Sequence, residues 1–399
     1  MIRRIEVAIT RILLPALLLF LVGTRKNELL ISDLVNLDAA YTLYSSALPA
    51  FWADLGAYAA MASVCLLALL ALLRIGFRQP SHIALLYGVF SLIYNLRLFD
   101  FDSPLPSLGG LIVAICLCAL CLGPVDEEAR RRFAAQQRVA FLSFALAYIA
   151  VNFFLLLSGY GFQSYRFSGL SYHPNQFAQI AAISAAGLLV AASQPLHIAP
   201  RVICATGSAL AMILLLAAGS RGAILSLVVG LAMLAYMRRR TPQFVVAAAV
   251  IAVGLSTVVF SYLDAGEVLL DRYLTFLDNR SEPFQLMWQT FVDNPIFGNG
   301  ADAGASENSL LKAYAATGIL GGGVFSAFLI SLFLWAAKIV TKADNRAAGR
   351  HDELVAIFAA MVLTGSLMDG YMVERLSFSG SLLVLLLAST GSSREGAKT

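Results

Sequence analysis

Glu307 and Asn308 stand ahead of nine residues and then Gly318-Ile319-Leu320-Gly321, so a carboxylate and an amide sit at the mouth of an apolar helix. A carboxylate there can act as a general base toward a hydroxyl, particularly where burial raises its pKa. It also fits the plainer role of an acidic residue favoured by the helix dipole. Three arginines precede this pair. Arg166 lies in Ser164-Tyr165-Arg166-Phe167-Ser168-Gly169, shortly before His173-Pro174-Asn175-Gln176, where a proline in the first turn marks a helix start. Free backbone N–H groups and the dipole at such a start suit an anion. Arg221 occupies Gly219-Ser220-Arg221-Gly222, a turn between two apolar helices that is too tight for a solvated loop. An ionisable residue held that close to a membrane is a functional candidate by default. Arg280 lies in Asp278-Asn279-Arg280-Ser281-Glu282, ahead of Trp288. Guanidinium forks match phosphate oxygens bidentately and stay charged at any working pH, so three arginines and a carboxylate suit a diphosphate. Each residue also has a structural alternative: a snorkelling arginine at 166, a topology anchor at 221, and a salt bridge to Asp278 or Glu282 at 280. His173 reads as a second base or as a helix-cap neighbour, and Asp369, Glu374 and Arg375 as a short external turn that pairs internally.

The elements that must position these groups are membrane helices. Of the 399 residues, 59% are hydrophobic and 13% charged, and the mean hydropathy is +0.78, far from a soluble domain. Windows of about twenty residues give about twelve spans, at 8-24, 54-73, 81-97, 107-124, 139-158, 174-193, 201-218, 222-237, 242-262, 308-336, 353-371 and 376-391. The expected fold class is therefore all-α, one polytopic transmembrane domain over 1-399. With both termini cytoplasmic, the clusters Arg74/Arg78, Arg130–Arg132/Arg138, Arg238–Arg240 and Lys338/Lys342/Arg346/Arg350 all fall inside, as the positive-inside rule requires. The candidate residues then share the opposite face. Thr24 to Phe51 reads as an interfacial helix. The longest external segment, 261-307, carries Phe284, Met287, Trp288 and Phe291 at helical spacing, which predicts an ordered cap with short helices over the site.

The net charge of +4 comes from short scattered clusters, not from a stripe fit for a nucleic acid. Cys65, Cys116, Cys118, Cys121 and Cys204 all lie in apolar stretches without zinc-site spacing and read as packing. Arginines that stabilise a leaving diphosphate make a metal unnecessary, so no metal and no cofactor are expected.

The succession Arg166-x-x-Gly169 with Pro174-Asn175, Ser220-Arg221-Gly222-Ala223, Arg280 with Trp288, Asn294-Pro295-Ile296-Phe297-Gly298-Asn299-Gly300, and Asn308 with Gly318 and Gly321 resembles the O-antigen ligase and polymerase family of bacterial envelope glycosyltransferases. The likeness covers roughly residues 160 to 325. It implies a GT-C-like helical fold in the bacterial inner membrane and an active site facing the periplasm. The implied donor is a glycan on undecaprenyl diphosphate, transferred with inversion to the hydroxyl of a growing glycan or of lipid A-core. Membrane lipids, and a chain-length regulator, are further implied partners. Catalytic roles would fall to Glu307, Arg221 and Arg280, and substrate binding to Arg166, Arg221, Arg280, His173, Asn175, Asn308 and Trp288. Ligating members show a histidine where this chain has Glu307, and that departure favours a repeat-unit polymerase over a ligase. A transporter of the same lipid-linked sugars is the rival from another class. It would place charges near the bilayer midplane in two repeated halves, which this sequence does not show.

Overall fold

A computed structural model describes residues 79–100, 104–123, 127–159, 161–163, 166–171, 173–194, 197–238, 281–303, 308–343, 350–373 and 377–388, with Cys65 and Thr390. The expected spans 8-24 and 242-262, nearly all of 54-73, the segment Thr24 to Phe51, and both Arg280 and Glu307 lie outside these residues.

The described chain is mostly helical. In order it runs α1 (His82–Arg97), α2 (Pro104–Leu120), α3 (Glu127–Leu157), α4 (Pro174–Ala192), α5 (Ile198–Ala218), α6 (Arg221–Met237), α7 (Ser281–Asp293), α8 (Ser309–Ala343), α9 (Arg350–Met368) and α10 (Phe378–Leu387). Five stretches are long and apolar enough to cross a membrane: Arg130–Leu157, Pro174–Ala192, Ile198–Ala218, Ser309–Thr341 and His351–Met368. The protein is thus membrane-embedded and helical.

Contacts between helix ends sort the connections into two groups. At one end, β1 (Gln79–Pro80) pairs antiparallel with β2 (Leu122–Gly123), and Arg238 after α6 bonds both Ser193 after α4 and Glu353 at the start of α9. At the other end, Arg97 Nη2 donates to Gly298 O at 2.7 Å, and a small hairpin lies before α4. That hairpin joins β3 (Phe162–Gln163) to β4 (Arg166–Phe167), with Gln163 opposite Arg166. Those of the residues singled out from the sequence that are described belong to this second end. At the centre stands α4, buried along its whole length. Its amides Asn175, Gln176 and Gln179 are poorly suited to lipid, and α3, α5, α6 and α9 pack around it.

Three expected spans differ from the observed helices. The expected 139-158 begins earlier, at Glu127, so Arg130, Arg131 and Arg132 ride on the helix instead of in a loop. The expected 376-391 is only the ten-residue α10, roughly 15 Å of rise and half a hydrocarbon core. The expected 308-336 falls within α8, which breaks at Gly318, where φ is 62° and ψ is −161°. The hydroxyls of Tyr314 and Ser326 nevertheless lie 3.0 Å apart. In a straight helix those residues would be separated by about 18 Å, and side chains lean toward the N-terminus. Residues 309–317 therefore fold back sharply against 319–343.

The loop after α7 fills the break. Ile319 N–H, deprived of a helical acceptor, donates to Pro295 O at 2.8 Å, and Asn299 N–H donates to Ala315 O at 2.8 Å. Buried backbone groups without partners cost several kcal/mol in lipid, so the loop supplies what the bent helix lost. The approach is close enough that a Cβ on Gly298 would lie 2.5 Å from Gly318 N. The family-like pair of motifs, Asn294 to Gly300 and Gly318, thus has a direct structural reason.

Candidate functional site

Asp369 is the centre of the polar end. The residue lies in the turn between α9 and α10 and is only 3% exposed; Glu374 and Arg375, expected in the same turn, lie outside the described residues. Its Oδ2 accepts from Gln179 Nε2 on α4 at 2.8 Å, and the same oxygen lies 3.1 Å from where a Cβ on Gly222 would stand. Glycine in the first turn of α6 is what lets the carboxylate approach. Its backbone oxygen accepts from Ser309 Oγ at 2.6 Å, and that hydroxyl in turn receives Met372 N–H at 3.3 Å. Gly370–Met372 form a short 3-10 turn between α9 and α10, where Tyr87 OH on α1 donates to Met372 O at 2.9 Å and Val373 is fully buried. Backbone groups buried in such a turn need protein partners. A cavity of about 20 Å³ lies between Gln179, Asp369 and Ser379, room for about one water.

Arg166 is positioned by its strand. Phe167 packs edge-on against Phe177 of α4 at 5.0 Å between ring centroids, and the hairpin turns the neighbouring guanidinium toward the helix ends. Its Nε donates to Ala218 O, the last carbonyl of α5, at 2.8 Å, and its Nη2 bonds Asn175 Oδ1. A cation on a helix C-terminus is favourable, and here it also ties the end of α5 to the start of α4. His173 precedes α4 and its Nδ1 accepts Asn175 N–H at 3.2 Å, the role of an N-cap. Beside Asn175, Gln176 keeps a buried side-chain oxygen without a hydrogen-bond partner among the described residues.

Arg221 stands where the sequence placed it. Gly219 ends α5 in a left-handed conformation with φ of 62°, and the Ser220 side chain accepts Ala223 N–H to start α6. The Arg221 side chain is exposed. Asn308 caps α8 by accepting Leu311 N–H at 2.9 Å and donates to Leu367 O at 3.0 Å. Trp288 is exposed on α7 and packs on Phe291, which meets Tyr314.

The structure therefore brings together Arg166, His173, Asn175 and the Ser220-Arg221-Gly222 turn, and joins them through Gln179 and Asp369 to Asn308 and Ser309. The N-termini of α4, α6 and α8 meet in this cluster, and each contributes the positive end of a helix dipole. Arg166, His173, Asn175 and Asn308 are all engaged in protein hydrogen bonds, and Arg221 is exposed beside them. Trp288 packs on Phe291, which leads to Tyr314 of α8.

Gln179 and Ser309 were not singled out from the sequence. The available signal was Asn175, Gln176 and Gln179 at helical spacing in an otherwise apolar span, since buried amides in a membrane helix need partners. The metal-free expectation also passed over one Asp-x-Asp, Asp100-Phe101-Asp102. Asp100 N–H is bonded to Ser107 Oγ at 3.0 Å, and Asp102 lies outside the described residues. Among the described residues no three potential His, Cys, Asp or Glu ligands are grouped, and all five cysteines are free. No protein-family model matches the chain, and no curated protein matches it either.

Proposed function

We propose that the protein is a periplasmic-face glycosyltransferase of the O-antigen polymerase and ligase type, in the bacterial inner membrane, with about twelve spans and a GT-C-like fold. The observation that supports this reading best is the meeting of three helix N-termini at one end of the bundle, with Arg221 exposed beside them. Dipole ends and a guanidinium together favour a diphosphate and the charge that grows on it as the glycosidic bond breaks. In this reading Arg221 and Arg280 hold the undecaprenyl diphosphate. Arg166, His173 and Asn175 fix the helix ends that frame it. Glu307, one residue before the Asn308 cap, takes the proton of the acceptor hydroxyl. The transfer breaks the bond from the anomeric carbon to the diphosphate, forms the bond to the acceptor oxygen and inverts the centre.

Glu307 in place of a histidine favours repeat-unit polymerisation over ligation to lipid A-core. A transporter draws support from the break in α8, since broken helices hold cargo in that class. That break, however, spends its backbone groups on the protein itself: Ile319 N–H on Pro295 O and Asn299 N–H on Ala315 O. Enzyme is therefore the stronger reading.

The test supplies purified protein with lipid-linked repeat units, first alone and then with lipid A-core. A glycan ladder without lipid A-core supports polymerase, product only with lipid A-core supports ligase, and no transfer in either arm rejects the reading. Arg221→Lys should remain folded and lose most transfer, because a point charge cannot reproduce the fork. Full activity in that variant would remove the diphosphate role.

A further inference from the structure

We infer that α7 and the loop after it form a membrane-interface collar, seated in the headgroup and upper acyl zone at the edge of the bundle, and not a lid over the polar cluster. Helix α7 has three distinct sides. Phe284, Met287 and Phe291 face the protein, with Met287 1% exposed and Phe291 edge-on to Tyr314 at 5.4 Å. Gln285, Gln289 and Asp293 recur every four residues and form an exposed polar side. Between these sides lie Trp288 and Val292, one turn apart and 56% and 55% exposed, while a single exposed leucine, Leu286 at 59%, stands on the other edge of the polar side. A lid over an aqueous site has no reason to present an apolar flank. A helix lying along a membrane surface does: its outer side faces water and its flank faces lipid.

The flank does not stop at the helix. Ile296 and Phe297 in the loop are exposed, and Ile319 and Leu320, exposed as well, begin the long arm of α8 beside them through the Ile319–Pro295 hydrogen bond. Down that arm Ile330, Phe333 and Leu334 continue an exposed apolar row, ending near the exposed Lys338. The helix rise from Ile319 to Lys338 is roughly 28 Å at 1.5 Å per residue, close to a hydrocarbon core of about 30 Å. If this row faces acyl chains, its upper edge falls at Ile319 and Leu320, level with the loop. Trp288 then sits at the depth where indole rings collect at membrane interfaces, ring in the acyl boundary and N–H toward the headgroups. The occupant is bilayer lipid, because the flank is continuous with the one surface of α8 whose length matches a bilayer.

The chain contains three tryptophans, Trp52, Trp288 and Trp335, so one can be read alone. The Trp52→Phe/Trp335→Phe variant is reconstituted in phosphatidylcholine nanodiscs, with and without lipids brominated near the top of the acyl chain, and titrated separately with iodide. Loss of most Trp288 emission to brominated lipid, with little loss to iodide, is the expected result. Strong iodide quenching without a lipid effect would overturn the collar and leave a water-facing lid. Protection from both quenchers would also overturn it, and would mean that a second copy or another protein covers the flank. Should the double variant fold poorly, the quenching lost between the natural chain and Trp288→Phe gives the same reading.

Discussion

Replacing Gly318 by alanine tests the bend in α8. The native backbone at φ of 62° and ψ of −161° is a region that residues with a Cβ occupy at about 1–3 kcal/mol. The added methyl would also fall on Ile296 O and the Phe297 amide, so the loop must retreat. Retreat breaks the Ile319–Pro295 and Asn299–Ala315 hydrogen bonds, both 2.8 Å, at about 0.5–1.5 kcal/mol each. Together these give about 2–6 kcal/mol. Gly323→Ala is the matched control, because nothing lies within 4 Å of its Cβ position and alanine in a helix is favoured by about 0.5–1 kcal/mol. The assay heats both variants in detergent and follows the monodisperse fraction by size-exclusion chromatography. The expected order is Gly323→Ala at or above the natural protein and Gly318→Ala far below it. If Gly318→Ala melts with the natural protein, α8 does not bend as described and the plugging loop loses its reason.

Ser309→Ala should cost about 1–3 kcal/mol by leaving Asp369 O and Met372 N–H without their shared hydroxyl, read as a lower midpoint in the same heating assay; Ser309→Thr should restore part of it. Glu353→Ala should cost about 2–3 kcal/mol, since Arg238 is bonded to it at 2.7 Å with both side chains only 16% exposed, and an unchanged midpoint would show the pair to be idle.

Much of the helical plan was legible, because apolar runs of helix length have few other fates in lipid: α4, α5 and α6 fall within a few residues of their expected spans. The break at Gly318 was not legible. Apolar residues continue through it on both sides, and a window average records composition and not direction. The Gly318-x-x-Gly321 spacing was visible, yet its purpose depends on a loop that precedes it and closes against it. For Asp369 the turn was legible and the partner was not. An acidic residue at the end of an apolar run usually meets water, and what holds this one inside is Gln179, 190 residues away in the chain. For Arg166 and Arg221 the residue type was readable. That Arg166 is spent on Ala218 O while Arg221 is exposed depends on how the helix ends pack.

The two sets of contacts that shape the polar end close at different moments of synthesis. The plug of residues 294–299 and the bend it fills, through Ile319, are neighbours in sequence, so they can join while the chain is still being made, at small loop-closure cost. The bond from Gln179 to Asp369 must wait until α9 has emerged, after nearly all of the chain. Until then Gln179 lacks its carboxylate partner, although Asn175 already has Arg166. A ribosome that stops before Asp369 leaves a bent helix correctly plugged beside a polar cluster without its buried carboxylate.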